Sequence, residues 1–217
     1  ELLTEDTELK VRIAPDPKAG TLTIADNGIG MNRDELVENL GTIARSGTEA
    51  FSRQLEEAAR EAGKEESGKK GAEAGRLIGQ FGVGFYSAFM VADKVTVTSR
   101  KAGEDQAWRW ESDGTGSYTI GEADEGQRGT TIVLHLTKAQ KEFLEPARLR
   151  TVIKTYSDHI SLPVILVDPE KAADAEGREE QVNAAGALWA RPKSEISEEQ
   201  YREFYHHVGR AFDDPWL

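Results

Sequence analysis

The chain is organised around Gly79-Gln80-Phe81-Gly82-Val83-Gly84-Phe85-Tyr86-Ser87-Ala88-Phe89, in which three glycines within six residues lead directly into an apolar stretch. Because glycine has no Cβ, this loop can adopt positive φ and let a bound group approach the backbone. The helix predicted to follow offers unpaired N–H groups and the positive end of its dipole, which favour phosphate. The segment therefore predicts a phosphate-binding turn, although it also fits a tight turn that packs a helix against a sheet.

Two common nucleotide-binding motifs do not account for these glycines. A dinucleotide-binding turn needs Gly-x-Gly-x-x-Gly straight after a strand, whereas residues 82–87 end in Ser87 and follow a charged, glycine-rich segment. The stretch at 63–70 is close to a P-loop, but Lys70 stands where a Ser or Thr hydroxyl would hold magnesium. Neither motif is assigned to this chain.

The composition is typical of a globular protein with an acidic surface. The chain has 217 residues, of which 38% are hydrophobic, and a formal net charge of −12. This charge disfavours nucleic acid and anionic membranes as partners, because their phosphates would repel it. The longest nearly apolar run, at 81–92, is too short to span a bilayer. The lack of cysteine fits a reducing compartment, so we expect a cytoplasmic protein.

The first part of the chain predicts a β-hairpin that ends in a polar bend. Residues 8–13 and 21–24 alternate between apolar and polar side chains on either side of a turn at 15–20. The second strand delivers Asp26 to a bend that contains Gly28 and Gly30. There the carboxylate can accept a hydrogen bond from an exocyclic amine such as adenine N6, and the glycines leave room for a planar ring. An ordinary turn is the simpler explanation of the same residues.

The segment after this bend predicts a capped helix and then a charged stretch. Asn32 is suited to cap the helix, with Glu35 completing a capping box three residues later. The acidic side chains of the first turns are explained by the helix dipole rather than by acid–base catalysis. Residues 49–75 contain four glycines and few large apolar side chains. They fit either a lid over a ligand or an exposed insertion.

The middle of the chain predicts a sheet followed by helices. Four alternating segments, at 94–100, 107–111, 117–120 and 130–136, predict successive strands of an antiparallel meander. Thr130 begins the last of them, where its hydroxyl is suited to cap a turn or to contact a ligand. Helices are predicted at 138–143 and at 146–159, the second with one apolar face made by Leu149, Val152, Ile153 and Tyr156. A final strand is predicted at 161–167, with Pro163 at its entrance.

The end of the chain predicts a linker and the beginning of another domain. Residues 168–183 lack periodicity, so we expect an exposed linker there. A strand is predicted at 188–191, and Ser197 is suited to cap a helix that carries several aromatic residues. The predicted division is a first domain at 1–168, a linker at 169–187 and part of a second domain at 188–217. Because the sequence begins with Glu1 rather than Met, we expect it to be part of a longer protein.

Three stretches taken together resemble one family: residues 26–31, residues 41–48 and the glycine-rich segment at 79–89. They are similar to the nucleotide-binding domain of the ninety-kilodalton heat-shock chaperones, in particular of their bacterial form. Further similarity at 128–130, 156–160 and 201–205 extends the resemblance over almost the whole chain. It implies an α+β fold, a two-layer sandwich of helices on a mostly antiparallel sheet, shared with gyrase, histidine-kinase and mismatch-repair ATPases.

The resemblance implies that ATP and ADP are the ligands and assigns five residues to the base and sugar. Asp26 would accept a hydrogen bond from the adenine amine. Gly30 and Met31 would form a wall against the adenine ring, and Thr130 would lie near the base. Asn39 would lie near the sugar.

The resemblance assigns a second set of residues to the phosphates: Arg45 and the backbone of Gly82, Val83, Gly84 and Phe85. Members of the family often carry Lys where this chain has Arg45, which keeps the charge and changes the contact geometry. Residues 33–78 correspond to the lid of the family. The catalytic glutamate and the asparagine that holds Mg²⁺ would lie on a helix upstream of Glu1. We therefore expect no catalytic residue and no metal ligand among these residues, and no ATP hydrolysis by them.

For the whole protein the resemblance implies a homodimer that hydrolyses ATP with Mg²⁺ and closes over unfolded client proteins during stress. Two alternatives stay open from the sequence. One is the ATP-binding domain of a sensor kinase from the same superfamily, and the other is a protein-binding module that needs no nucleotide.

Overall fold

The computed structural model describes residues 7–41, 82–124, 126–172, 174–185, 196–209 and 213. The chain divides into a first unit, residues 1–3 and 28–140, and a second unit, residues 4–27 and 141–217. The predictions for most of the loop at 41–48, for the stretch at 49–75 and for the strand at 188–191 lie outside the described residues. The division of the chain at 168 and 188 stays a prediction.

The described residues form eight strands and three α-helices. The strands are β1 (Val11–Asp16), β2 (Thr21–Asp26), β3 (Ala92–Arg100), β4 (Ala107–Ser112), β5 (Tyr118–Ala123), β6 (Gly129–Leu136), β7 (Val164–Val167) and β8 (Glu179–Gln181). The helices are α1 (Arg33–Leu40), α2 (Pro146–Tyr156) and α3 (Glu198–Gly209), with 3₁₀ helices at Gly84–Met90 and Lys138–Leu144. The strand pairings within the units are antiparallel except for one. The predicted α+β class with mostly antiparallel strands is confirmed.

In the first unit the strands lie in the order β5-β4-β3-β6, and every pairing is antiparallel. The predicted meander is correct for β3, β4 and β5 but wrong for β6, which pairs with β3 instead of β5. The reason is burial. Val95, Thr96 and Val97 of β3 are all buried, so the backbone N–H and C=O groups there need hydrogen-bond partners at both edges of the strand. Strand β5 is mostly exposed and tolerates an outer position.

Aromatic side chains cover one face of this group of strands. Trp110 on β4 is 2% exposed and lies opposite Val97. Its ring stacks on Tyr118, with centroids 5.8 Å apart, and meets Phe85 edge-on at 5.6 Å. Offset-stacked and edge-to-face arrangements are the favoured geometries of aromatic pairs. The 3₁₀ helix Gly84–Met90 is thereby fixed against the side of the strands that carries Val97.

In the second unit the strands lie in the order β2-β1-β7-β8. Strand β1 is antiparallel to β2 and parallel to β7, so the predicted hairpin is confirmed. The strand includes Pro15 and Asp16, which the sequence had placed in the turn. The turn is set by the Asp16 carboxylate, which accepts hydrogen bonds from the N–H groups of Lys18 and Ala19 at 2.9 and 3.0 Å.

Helix α2 lies where the sequence predicted a helix, which confirms its position. It is shorter than predicted, and its apolar face is narrower than predicted. Leu149 and Ile153 are buried, whereas Tyr156 is 76% exposed. The helix ends at Tyr156 rather than at His159. The carboxylate of Asp158 instead accepts a hydrogen bond from the Ala184 N–H at 3.0 Å, a contact that the sequence does not reveal. Among the described residues, no helix is long and apolar enough to cross a membrane.

The exposed linker expected at 168–183 is wrong for its last residues. Strand β8 pairs antiparallel with β7, and Val182 and Asn183 are 4% and 5% exposed. The Asn183 side chain accepts a hydrogen bond from the Val164 N–H at 2.8 Å and donates to the carbonyl groups of Ile160 and Leu162 at 3.2 and 2.9 Å. A three-residue strand is too short to show alternation, so sequence periodicity could not predict it.

We predict that Asn183→Ala lowers the free energy of unfolding by about 3 kcal/mol, because the buried Val164 N–H and two less buried carbonyl groups lose their partner. Gln181→Ala is the matched control, since this exposed amide makes a single 3.0 Å hydrogen bond and its loss should cost about 0.5 kcal/mol or less. Urea unfolding of both variants measures the difference. Equal losses in the two variants would contradict the structural role of Asn183.

Candidate functional site

The bend at residues 28–32 is hydrogen-bonded to the neighbouring strands of the first unit. The Ala102 N–H donates to the Ile29 carbonyl at 2.7 Å. The Arg128 guanidinium donates to the Gly28 carbonyl at 3.0 Å. Because these bonds come from residues far away in sequence, the bend has a fixed position rather than the local geometry of an isolated turn.

Gly30 is required at the centre of this bend. Its φ is +65°, and a Cβ placed there would lie 2.0 Å from the Arg100 carbonyl oxygen and 3.0 Å from that of Gly129. A side chain is excluded by both the backbone conformation and the space. The sequence predicted a glycine that lets a ring approach. The structure adds that the strands β3 and β6 already approach Gly30 from one side.

Ser99 joins the bend to both of these strands. Its side chain is 1% exposed, and its hydroxyl accepts a hydrogen bond from the Met31 N–H at 2.8 Å. The same hydroxyl donates to the Gly129 carbonyl at 2.9 Å and lies 2.9 Å from the Thr130 hydroxyl. Thr130 therefore stands near the Met31 backbone through Ser99, a residue that the sequence did not single out.

Helix α1 contributes Asn39 to the same region. Its start is confirmed as a capping box, with Asn32 and Glu35 bonding each other's backbone N–H groups at 3.0 Å. Glu35 also pairs with the Lys101 ammonium at 2.5 Å, which supports a capping role over a catalytic one. Two turns further on, the Asn39 amide nitrogen lies 3.8 Å from the Met31 sulfur. Gly30, Met31, Asn39 and Thr130 are thus connected by short contacts within one unit.

The described part of the glycine-rich segment, from Gly82 onwards, contacts the C-terminal end of α1 through Tyr86. Gly82 has a φ of +62°, as expected for a loop that presents its backbone. The helix that follows is a seven-residue 3₁₀ helix rather than a longer helix over 81–91, and Val83 and Met90 are 51% and 79% exposed. The Tyr86 hydroxyl donates to the Leu40 carbonyl at 3.1 Å. Burial raises the pKa of Tyr86, so this hydroxyl stays a neutral donor.

Asp26 is the last residue of β2, in the second unit, and it is exposed. The next residue makes long-range contacts rather than a local turn. The Asn27 side chain accepts a hydrogen bond from the Lys10 N–H and donates to the Glu8 carbonyl, both at 2.8 Å. Asn27 therefore joins the end of β2 to the segment that precedes β1. Arg45 lies outside the described residues.

A family model described as "Histidine kinase-, DNA gyrase B-, and HSP90-like ATPase" matches residues 5–125, more than half of the chain. The chain belongs to this ATPase family. The matched region includes Asp26, the bend with Gly30 and Met31, Asn39, and the segment at 82–85. Thr130 lies beyond it.

Curated relatives of the chain carry one name, "Chaperone protein HtpG". The identity is 54% over 215 residues with the protein of Rhodospirillum rubrum, 54% over 216 residues with that of Paramagnetospirillum magneticum and 52% over 218 residues with that of Rickettsia rickettsii. The alignments cover 99% to 100% of this chain and 32% of each relative. The resemblance to the bacterial heat-shock chaperones is confirmed, and the chain spans about a third of the length of these relatives.

Two properties of the described carboxylates bear on metal binding and on acid–base chemistry. No group of three or more His, Asp or Glu side chains among them is placed to hold a metal ion. Glu111 is the carboxylate with the largest change in pKa, which hydrogen bonds from Lys94 and then Arg109 lower to about 2. A carboxylate with so low a pKa is a weak base. It bonds Thr96, which faces the side of β3 opposite to Ser99.

Ser99 is the residue of this site that sequence reasoning missed, although the sequence carries a signal for it. Alternation along β3 places residue 99 on the same face as Val95 and Val97, which are core positions. A serine at a core position must satisfy its hydroxyl with buried partners. That requirement indicates a polar contact within the fold, although it does not identify the Met31 N–H as the partner.

We predict that Gly30→Ala destabilises the chain by at least about 2 kcal/mol more than Gly20→Ala. Both glycines have positive φ, +65° and +70°, so both variants gain the same backbone strain. Only at Gly30 does the new methyl group meet other atoms within 4 Å. Thermal unfolding of the two variants measures the difference, and an equal loss would show that the bend can move away from β3 at little cost.

Proposed function

We propose that this chain binds ATP and ADP, and that it does so as the nucleotide-binding domain of a chaperone that acts on unfolded client proteins. The observation that carries the proposal is the bend at Gly30 and Met31, which the Ser99 and Thr130 hydroxyls hold beside Asn39. This bend lies inside the region that matches an ATPase family. A rigid backbone wall with a few oriented polar groups is what a planar base requires.

The base and sugar contacts that we propose are those that the family resemblance implies. The Asp26 carboxylate accepts a hydrogen bond from the adenine amine, and the backbone at Gly30 and Met31 packs against the ring. The Thr130 hydroxyl contacts the base edge, and the Asn39 amide contacts the sugar. The short contacts among Met31, Asn39 and Thr130 support these assignments.

The phosphates are assigned to Arg45 and to the backbone N–H groups of Gly82, Val83, Gly84 and Phe85. The positive φ of Gly82 and the exposure of Val83 support an accessible backbone at this position. The 3₁₀ geometry makes the individual N–H groups, rather than a long helix dipole, the source of attraction for an anion. Mg²⁺ would accompany the phosphates, and no step is assigned to a metal ligand among the described residues.

For the whole protein we propose a cytoplasmic homodimer that couples ATP hydrolysis to the binding of unfolded clients under stress, without nucleic acid or membrane partners. The relatives named as chaperones support this proposal, as does the net charge of −12. The nucleotide-binding domain would reach at least the end of β8. The second domain would begin near residue 188.

Two alternative functions can be distinguished from the proposed one. A sensor kinase shares the family model, but identities of 52% to 54% with proteins named as chaperones favour the chaperone. A nucleotide-independent protein-binding module is disfavoured by the match of residues 5–125 to an ATPase family model. Titration of the chain with ADP separates that module from both nucleotide-binding functions.

We predict that Asp26→Asn weakens ADP binding by about 1.5 to 3 kcal/mol, because the charged acceptor is replaced by a neutral amide of the same size. Asp16→Asn is the matched control. Asp16 is also an exposed carboxylate at the end of a strand in the same unit, and its contacts belong to the hairpin turn. Calorimetric titration of both variants measures the difference. Unchanged affinity in Asp26→Asn would make Asp26 a turn residue only.

We predict that residues 1–217 release phosphate from ATP no faster than buffer does. Hydrolysis needs a base that orients water, and the family resemblance assigns that role to no residue of this chain. The carboxylate of Glu35 is occupied by its capping and lysine contacts. Phosphate release is measured with and without Mg²⁺. Release that requires Mg²⁺ and is lost in Glu35→Gln would place a catalytic base on α1.

A further inference from the structure

We propose that Ser99 is a positioning residue that fixes the direction of the Thr130 hydroxyl, so that Thr130 presents only an acceptor to the base. The proposal rests on nucleotide binding at the bend of Gly30 and Met31. Thr130 would then favour a purine that carries an amine at the edge facing it. This preference would be independent of the one that the Asp26 carboxylate gives.

The direction of the proton follows from counting donors and acceptors around Ser99. A serine hydroxyl has one proton and two acceptor positions. The Met31 N–H can only donate, and it occupies one acceptor position from 2.8 Å. The Gly129 carbonyl can only accept, so it takes the proton of Ser99 at 2.9 Å. The Thr130 hydroxyl, also at 2.9 Å, must then donate its own proton to the remaining acceptor position.

Burial keeps this arrangement in place. The Ser99 side chain is 1% exposed and Gly129 is buried, so water does not compete for these partners. If the Thr130 proton pointed away from Ser99, one acceptor position of the Ser99 oxygen would be unsatisfied. The lone pairs of the two hydroxyl oxygens would then face each other. Backbone pairing of Ser99 with Thr130 across β3 and β6 fixes the distance between the two hydroxyls.

The fixed proton has a consequence for the ligand. With its proton committed to Ser99, the Thr130 oxygen has only lone pairs left to offer. An amine can donate to them, as adenine does. A carbonyl in the same place, as in hypoxanthine, sets lone pairs against lone pairs, and a site built for one hydrogen-bonding pattern rejects the other strongly. If the hydroxyl were free to rotate, it would accept from the amine and donate to the carbonyl, and this discrimination would vanish.

The test compares ADP with inosine diphosphate, which carries a carbonyl in place of the adenine amine. Calorimetric titrations give the ratio of the two affinities for the parent chain and for Ser99→Ala, Ser99→Thr and Thr130→Val. We expect Ser99→Ala to lower the preference for ADP about fivefold to tenfold, because Thr130 regains the freedom to donate. Ser99→Thr keeps the hydroxyl and should restore the ratio. Thr130→Val should lower the ratio as far as Ser99→Ala does, and the double variant should lower it no further.

Ser112→Ala is the matched control, since it removes a hydroxyl of the adjacent strand β4 that bonds the Ser117 carbonyl at 2.6 Å, in a separate turn. Its ratio should equal that of the parent. The ratio also separates orientation from general loosening, because a loosened site would lose both nucleotides to the same extent. A Ser99→Ala variant that binds both nucleotides less tightly with an unchanged ratio would overturn the proposal.

Amide hydrogen exchange of Met31 without nucleotide tests the first step independently of binding. The amide should exchange faster in Ser99→Ala and return to the parent rate in Ser99→Thr. An unchanged rate in Ser99→Ala overturns the positioning role even if ADP binds. If the parent chain binds neither nucleotide while the Met31 amide responds as expected, the proposed function fails and base selection fails with it.

Discussion

Strand β3 must be covered on both sides, and much of the first unit follows from that requirement. Its buried valines need neighbours on either side, which places β4 on one side and recruits β6 to the other. The pairing with β6 sets Ser99 against Thr130 and Arg100 against Gly129. These four residues at the end of β3 and the beginning of β6 hold the bend that contains Gly30 and Met31. The geometry of the candidate site is thus a product of how the core is covered.

Buried polar side chains fix two irregular segments among the described residues, the bend at 28–32 and the segment that precedes β7. In the first unit the Ser99 hydroxyl connects β3 to the Met31 backbone and to β6, and in the second the Asn183 amide bonds three backbone groups at 160–164. Both side chains are at most 5% exposed. A buried group of this kind stabilises one arrangement because every alternative leaves a donor or acceptor unpaired. Such residues therefore specify position more than they add to net stability.

Charged side chains play a smaller part at the candidate site than the acidic composition of the whole chain indicates. The carboxylate of Glu111 is held by Lys94 and Arg109 on the opposite side of β3, and Glu35 is paired with Lys101. The contacts around Met31 are made by neutral hydroxyl, amide and backbone groups. A protein of net charge −12 can bind an anion locally in this way, because oriented N–H groups attract phosphate where no carboxylate opposes it.

The sequence alone determined the local elements and the family. The capping box of α1, the hairpin of β1 and β2 and the strands β3 to β6 all depend on neighbouring residues, so pattern and composition predict them. Only the tertiary structure decided which strands pair, that β8 lies where a linker was expected, and that Ser99 carries the contact between Met31 and Thr130. These features depend on residues 12 to 153 positions apart, and a sequence pattern records only what each residue needs, not which distant group supplies it.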